Sequence, residues 1–338
     1  MLTVSVVIPT YNCQQYLAKA ITSAIHPSVI EIIVIDDGST DETAAVVKEV
    51  RQSLLQQGVG SDVLRYIKQP NQGVSAARNH GIEIASGELI ALLDADDCFL
   101  PNKLSCQIAC FEADATLDIV QSGWQRVDTH GELLEVVSPW ITSPELTLEN
   151  FLRFKPILPS ALLVRRKCLL NTKFDPELAA AEDVDLMSRL LLAGCRAEWV
   201  KEALVSYRQH GHNAMGNSLT QARDLNKFLD KFFGQQTLPE HVRMQERAVR
   251  YYTLVWAACC LQRTGHFKEM AQELRQAWHH TPHLPAEAVI YWMDSFEKFG
   301  FQQEGEGLRA LLASQDWQAL VSWILVQKSC SAKNEREA

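Results

Sequence analysis

The sequence predicts an α/β fold, a mixed sheet flanked by helices, followed by an all-α C-terminal region. Two observations carry the α/β half. Over roughly the first hundred residues, short runs rich in Val, Ile and Leu alternate with helical patterns. The strongest of those runs, such as Leu89–Leu93, are apolar throughout instead of alternating, as in parallel strands covered on both faces. A third observation carries the rest: from Leu219 to Leu325 the periodicity is almost continuously helical and rich in Trp, Leu, Ala and Gln.

Taken in order, Val4–Ile8 reads as a buried strand that stops at Pro9, and Asn12 opens a helix-like stretch to about Ala24. Glu31–Ile35 is a second strand, ending on Asp36-Asp37-Gly38-Ser39. A helix near Asp41–Gln57, a strand near Leu64–Lys68, a helix near Val74–Ser86 and a strand at Leu89–Leu93 complete a βαβα rhythm. After Asp97 come a helix near Pro101–Phe111, strands near Asp118–Val127 and Glu132–Val137, and a loop around Pro139 and Pro144. A strand at Ala161–Arg165, an amphipathic helix through Leu192 and a strand-like Ala203–Ser206 follow. A boundary near Gly216–Thr220 separates an N-terminal domain (1–218), a helical domain (219–328) and a polar tail (329–338), with helix breaks at Pro239, Pro282, Pro285 and Gly300. Gly265, Phe267, Ala277 and Pro282 fall at offsets resembling one tetratricopeptide-type helical pair, which is short of an array.

Composition narrows the function classes. A chain of 338 residues is long enough for about two domains. With 47% hydrophobic and 22% charged residues it is neither disordered nor fibrous. A net charge of −9, with no Lys/Arg cluster longer than Arg165–Lys167, argues against nucleic acid as a partner. No basic leader precedes the first strand, and the longest near-apolar stretch, Tyr251–Leu261, is half a membrane span, so neither secretion nor integral insertion is expected. Nine scattered cysteines without a C-x-x-C pair suggest neither a disulfide framework nor a thiolate zinc site, and a reducing cytoplasm is the simplest home.

In an open α/β sheet, ligands bind beyond the carboxyl ends of the strands. Pro9-Thr10-Tyr11-Asn12 offers a rigid turn, an aromatic face for stacking a base and an amide; it also reads as an ordinary loop with Asn12 as helix N-cap. After the second run, Asp36 and Asp37 point to different sides, so one can face a cleft, where a carboxylate suits an imide N–H or ribose hydroxyls and repels phosphate. Asp94-Ala95-Asp96-Asp97 gathers three carboxylates behind an apolar strand, an arrangement that a divalent cation offsets. Magnesium and manganese take one or two protein carboxylates plus phosphates and water, which fits Asp96 as direct ligand and Asp94 through water or a ribose. Neither a dinucleotide-binding glycine motif nor a P-loop occurs. Arg78, on the helix before the acidic strand, either contacts a pyrophosphate or pairs with Asp94 or Asp97. Asp183 starts a helix, where carboxylates are favoured in any case, and is the candidate general base for transfer to a hydroxyl. His210, at a strand end, can ligate a metal or hold a phosphate oxygen.

Together VVIPTYN at 6–12, VIDDGSTDET at 34–43, NQGVSAARNHGI at 71–82, LLDADD at 92–97 and AEDVDLMSR at 181–189 resemble family 2 glycosyltransferases of the GT-A fold. The resemblance covers roughly residues 1–215. It implies a Rossmann-like GT-A sheet and an inverting transfer from a nucleotide-sugar, most commonly a UDP-sugar, with Mn²⁺ or Mg²⁺ as cofactor. Carried onto matching positions, Pro9, Tyr11 and Asp37 surround a uracil whose N3–H Asp37 accepts, with Asn12 and Arg78 also on the donor side. Asp94 then faces the ribose, Asp96 and His210 the metal, and Asp183 deprotonates the acceptor hydroxyl. Thr172-Lys173 departs from the family pattern, which has paired glycines before the Phe-Asp segment. No Q-x-x-R-W motif occurs, so the polymerising synthases match poorly. The expected acceptor is a glycan, lipid-linked or protein hydroxyl, reached in the cytoplasm or in peripheral contact with the cytoplasmic face of a membrane. The competing reading is a catalytically silent nucleotide-sugar-binding scaffold, against which the joint presence of Asp96 and Asp183 weighs.

Overall fold

The computed structural model describes residues 2–60, 62–210, 217–299 and 306–334. The chain divides into two compact units, Met1–Gly211 and His212–Ala338. Of the Gly216–Thr220 stretch in which the sequence suggests a boundary, Gly216 lies outside the described residues, and so do Gly300 and the last four residues.

The first unit is built on a nine-stranded mixed sheet in the order β3-β2-β1-β4-β8-β6-β9-β5, with β7 added to β6. Its first half consists of β1 (Val4–Thr10), β2 (Val29–Asp36), β3 (Leu64–Lys68) and β4 (Leu89–Leu92). All pairs among them are parallel. They alternate with α1 (Leu17–Ser23), α2 (Thr43–Gln56) and α3 (Val74–Ile84). Every residue of β1 is buried, which explains its lack of alternation: both faces are covered by helices. Contrary to the expectation from Pro9, β1 continues through it to Thr10. Val7 O accepts from Leu93 N, so alternate residues of β1 face β4, but the β1–β4 ladder ends at Val7↔Leu92. Pro9 therefore sits on the side where no partner awaits an N–H, and its missing donor costs no ladder bond.

The second half comprises β5 (Cys98–Phe99), β6 (Ile119–Val127), β7 (Leu133–Val137), β8 (Leu162–Arg165) and β9 (Ala197–Arg208). Between them lie α4 (Lys103–Ala113), α5 (Leu148–Phe154), α6 (Arg166–Asn171) and α7 (Glu182–Leu192). β4 pairs antiparallel with β8 and β8 with β6, whereas β6 and β9 run parallel, so the sheet is mixed as the sequence suggests. β9 is far longer than Ala203–Ser206, because its polar residues are held in the ladder by β6 and not by an apolar pattern of their own. The stretch from Asn12 is also not a helix start. Asn12 takes a left-handed conformation (φ 49°), and α1 begins at Leu17.

The second unit is all helical: α8 (Ser218–Phe233), α9 (Glu240–Arg243), α10 (Glu246–Arg263), α11 (Phe267–Trp278), α12 (Pro285–Phe299), α13 (Glu306–Ala313) and α14 (Gln315–Asn334). Asn217 caps α8, its side-chain oxygen accepting from Thr220 N at 3.1 Å. Phe228, Phe232, Leu254, Leu274, Trp292, Phe296 and Leu320 form its buried interior. Gly265 turns the chain between α10 and α11 at φ +78°, a conformation open to glycine. The stretch 329–334, expected as a frayed tail, continues α14, since Ser, Cys, Ala, Lys and Asn there include no helix-breaking Pro or Gly. No described helix is long and apolar enough to cross a membrane.

Gly87 sits where the chain enters β4. A Cβ there would stand 2.5 Å from Ser5 N and 2.8 Å from Val4 C, which are main-chain atoms of the central strand. Gly87→Ala is expected to lower the unfolding free energy by about 1–3 kcal/mol, the usual cost of overpacking, as measured by urea denaturation.

Candidate active site

The loops after β1 and β2 are knitted to each other. Asn12 N donates to Ser39 Oγ at 2.9 Å, and Asn12 Oδ1 accepts from Thr40 N at 2.8 Å. Tyr11, beside this clamp, is 53% exposed and available for stacking, while Pro9 is buried within the strand. The two carboxylates at the end of β2 do different work. Asp36 is fully buried and accepts from Ser39 N at 2.7 Å and from the Tyr66 hydroxyl. Asp37 is also buried and organises the next loop: Oδ1 accepts from Gln69 Nε2 (2.8 Å) and Gln72 N (2.9 Å), and Oδ2 from Gly73 N (2.8 Å). Three of the roughly four lone-pair sites of a carboxylate are thereby used.

Beyond β4 the three aspartates again divide. Asp97 is buried, accepting from Ser160 Oγ at 2.6 Å and from Arg208 N at 3.1 Å. Burial pushes its carboxyl well above the ordinary range, and the charges of Asp96 and Asp94 add to the effect. Asp94 and Asp96 keep 25% and 23% of their side chains in solvent, enough to meet a ligand. Asp96 Oδ2 lies 2.9 Å from His210 Nε2. The His210 ring stacks on Tyr16 (centroids 5.4 Å apart, 16° between planes), and Tyr16 also carries the Arg208 guanidinium 4.8 Å from its centroid. Arg208 in turn donates through Nε to Asp96 O at 3.2 Å and through Nη1 to the carbonyls of Asp128 and Thr129. The end of β9 is thus fastened to the acidic turn.

Arg78, for which the sequence leaves pyrophosphate and aspartate as alternatives, is 3% exposed and bridges two carboxylates. Its Nη2 is 2.7 Å from Asp94 Oδ1 and its Nη1 is 2.7 Å from Glu182 Oε1. Burial opposes its charge, but Asp94 and Glu182 outweigh that and raise its pKa further. The Phe174 ring lies 5.1 Å below the guanidinium, and Asn79 holds the Phe174 main chain by two bonds of 2.9 Å. The departing Thr172-Lys173 segment is tied to α3, with Lys173 Nζ 3.3 Å from Glu83 Oε2. Next to Glu182, at the first turn of α7, stands Asp183. Desolvation raises its pKa to about 7 and the Glu182 charge adds to this, while a bond from Val184 N at 2.7 Å works the other way.

The structure brings Asp96 and His210 into contact beyond the carboxyl ends of β4 and β9, and Arg78 ties Asp94 to Glu182, the neighbour of Asp183. It gives Asn12 and Asp37 loop-shaping partners inside the protein. Glu182, Ser160, Arg208 and Tyr16 were not singled out by sequence reasoning. Glu182 lay within a quoted motif, but its partner Arg78 is distant in sequence. Asp96 Oδ2 and His210 Nε2 meet in a hydrogen bond of 2.9 Å, and a carboxylate beside an imidazole is a donor set whose chemistry suits a divalent cation such as Mn²⁺. Gly211 and His212, which follow His210, lie outside the described residues.

The mixed α/β sheet flanked by helices is similar in fold to GT-A-type transferases. Residues 5–158, a little under half of the chain, match the family described as Glycosyl transferase family 2. The succinoglycan biosynthesis protein ExoU of Rhizobium meliloti is 30% identical over 233 residues, covering 64% of this chain and 65% of that protein. Among solved structures, S. aureus TarS 1–349 in complex with UDP-GlcNAc has a TM-score of 0.60 at 18% identity, over 89% of this chain and 93% of that one. Mannosyltransferase PcManGT from Pyrobaculum calidifontis, in complex with GDP-Man and Mn²⁺, has a TM-score of 0.58 at 18% identity, over 96% and 86%. At these identities the two structures show a shared fold.

Removing the Arg78 charge leaves Asp94 and Glu182 facing each other without compensation. Arg78→Met is expected to cost about 3–5 kcal/mol, the range for breaking a buried ion pair, in urea denaturation. Arg78→Lys should fall between Met and wild type, because a single ammonium lacks the planar fork that spans both carboxylates.

Proposed function

We propose that this chain transfers a sugar from a nucleotide donor, a UDP-sugar, to a hydroxyl acceptor with inversion at the anomeric carbon. The observation that carries the reading is the pairing of Asp96 with His210 at 2.9 Å, beside an Asp94 that Arg78 ties to the α7 turn bearing Asp183. ExoU, named for succinoglycan biosynthesis, supports a polysaccharide or its lipid-linked precursor as acceptor. The scattered cysteines, without a C-x-x-C pair, support a reducing, cytoplasmic setting.

Asp96 and His210 would hold Mn²⁺ or Mg²⁺, which when bound neutralises charge on the departing nucleoside diphosphate. The 53% exposed Tyr11 ring stacks the base, and the remaining lone-pair site of Asp37 accepts an imide N–H such as that of uracil. Asp94, held by one oxygen to Arg78, turns the other toward the ribose. Asp183 takes the acceptor hydroxyl proton as the acceptor oxygen bonds to the anomeric carbon and the bond to the diphosphate oxygen breaks. Attack from the face opposite the leaving group produces inversion.

Asp96→Ala is expected to abolish divalent-dependent binding of a UDP-sugar in calorimetric titration. Failure of every UDP-, GDP- and dTDP-sugar to bind, with or without metal, would overturn the donor-site assignment, whereas binding without turnover would favour the scaffold reading. Asp183→Asn should lower turnover by about 10²–10⁴-fold, the usual contribution of a general base, with donor binding retained.

The raised pKa of Asp183 sets a pH dependence. The base is active only when ionised, so kcat/KM should rise with pH through about 7 and level off above it. The sign for stability is the reverse. The fold disfavours the ionised form, so wild type loses up to about 1.4 kcal/mol per pH unit between about 4, where an unfolded aspartate titrates, and the raised native value. Asp183→Asn, which cannot ionise, should therefore exceed wild type in thermal midpoint at pH 8, with the difference vanishing near pH 4.

A further inference from the structure

At the end of the sheet remote from the acidic strand ends, three metal-ligating side chains converge that the transfer does not use. Ile119 at the start of β6 pairs with Val164 and Ala197, whereas the chemistry lies beyond Val127 and Arg208 at the other end of those ladders. Asp118 precedes β6, Cys168 lies in α6 and Cys195 follows α7. One carboxylate oxygen and the two Sγ atoms all lie within 4.8 Å of one another. We propose that Asp118, Cys168 and Cys195 form a binding site for a soft divalent cation of the zinc type, with water as fourth ligand.

The distances suit that ion. Zinc with bonds of about 2.3 Å to sulfur and about 2.0 Å to oxygen, arranged tetrahedrally, sets sulfur and oxygen about 3.5 Å apart and two sulfurs about 3.8 Å apart. Cys168 Sγ is 3.5 Å from Asp118 Oδ1. Only small side-chain adjustments close the set.

The ligands are also held in place beforehand. Asp118 is fixed on both sides of its main chain, N donating to Arg196 O at 2.9 Å and O accepting from Arg165 N at 2.8 Å. Cys195 completes a Schellman turn after α7: Gly194 has φ +87°, Gly194 N donates to Leu191 O and Cys195 N to Leu190 O. Cys168 is buried in α6. Positive charge is already drawn to the cluster, as Lys167 Nζ stands 3.2 Å from Asp118 Oδ1. Its side chain is 70% exposed and free to swing into water when a cation arrives. Two thiolates and one carboxylate select zinc over magnesium or manganese, which prefer all-oxygen surroundings, so this site and the cleft draw on different ions. Both thiols release their protons to solvent as the metal–sulfur bonds form. The result is a staple joining α6, the end of α7 and the start of β6.

The test uses the full chain carrying Asp96→Ala, so that the cleft does not compete, after reduction and chelation. Titration with Co²⁺ is expected to give one equivalent with a sulfur-to-metal charge-transfer band, displaced by Zn²⁺. Cys168→Ser and Cys195→Ser should each lose the band and at least about tenfold in affinity. Lys167→Ala should tighten binding several-fold, and Cys106→Ser should leave it unchanged. Should the cysteine variants fail to fold, alkylation of Cys195 in the otherwise unaltered chain serves instead, and Zn²⁺ is expected to slow it at least about tenfold. Absence of a charge-transfer band, its survival in Cys168→Ser, or alkylation indifferent to zinc overturns the proposal.

Discussion

A guanidinium buried to 3% exposure, with Asp94 on one side and Glu182 on the other, joins three elements that are otherwise far apart in sequence: α3, the end of β4 and the start of α7. Its cost is high, since desolvating a cation is unfavourable by several kcal/mol. What offsets that cost is two charge-assisted bonds in planar geometry and the Phe174 ring beneath them. The bridge ties the end of β4, on the proposed donor side, to the turn that carries Asp183. It also decides which acids remain available. Asp94 and Glu182 are compensated by Arg78, whereas Asp96 is paired with an imidazole and Asp183 with its neighbour's N–H.

The acidic residues around the cleft divide by burial, not by type. Asp36, Asp37 and Asp97 are buried and serve as struts, each oxygen accepting from loop N–H groups or from hydroxyls of Ser160 and Tyr66. Asp94 and Asp96 retain about a quarter of their side-chain surface and face solvent. Adjacent on one turn, Asp96 and Asp97 do opposite jobs. The struts hold the turn in the conformation that lets the exposed pair act, which is electrostatic preorganisation obtained from neighbouring carboxylates. The excess of negative charge that results is the physical basis for proposing a divalent cation there.

The sheet's first half was legible because burial on both faces leaves an unbroken apolar signal, and the strand at Leu64–Lys68 coincides with its expected span. β9 and the short β5 were less so, since their pairing with distant strands, not their own composition, keeps them extended. Of the candidate site, Asp94, Asp96, Asp183 and His210 stand at strand or helix ends or in motifs, where a sequence can single them out. Their partners could not be singled out: Ser160, Arg208 and Tyr16 lie in stretches without distinctive spacing.

The sequence by itself determined the order of strands and helices in the first half, the acidic strand ends and the change to helical periodicity. These are local properties, written in runs of adjacent residues and in the chemistry of the residues that follow them. Tertiary structure alone decided that Arg78 serves two carboxylates, that Asn12 and Asp37 shape loops, and that Cys168 and Cys195, with no C-x-x-C spacing, share a corner with Asp118. The reason is physical. An ion pair or a ligand set is a relation between side chains delivered by different elements, and its existence depends on distances of a few ångströms that no one-dimensional spacing specifies.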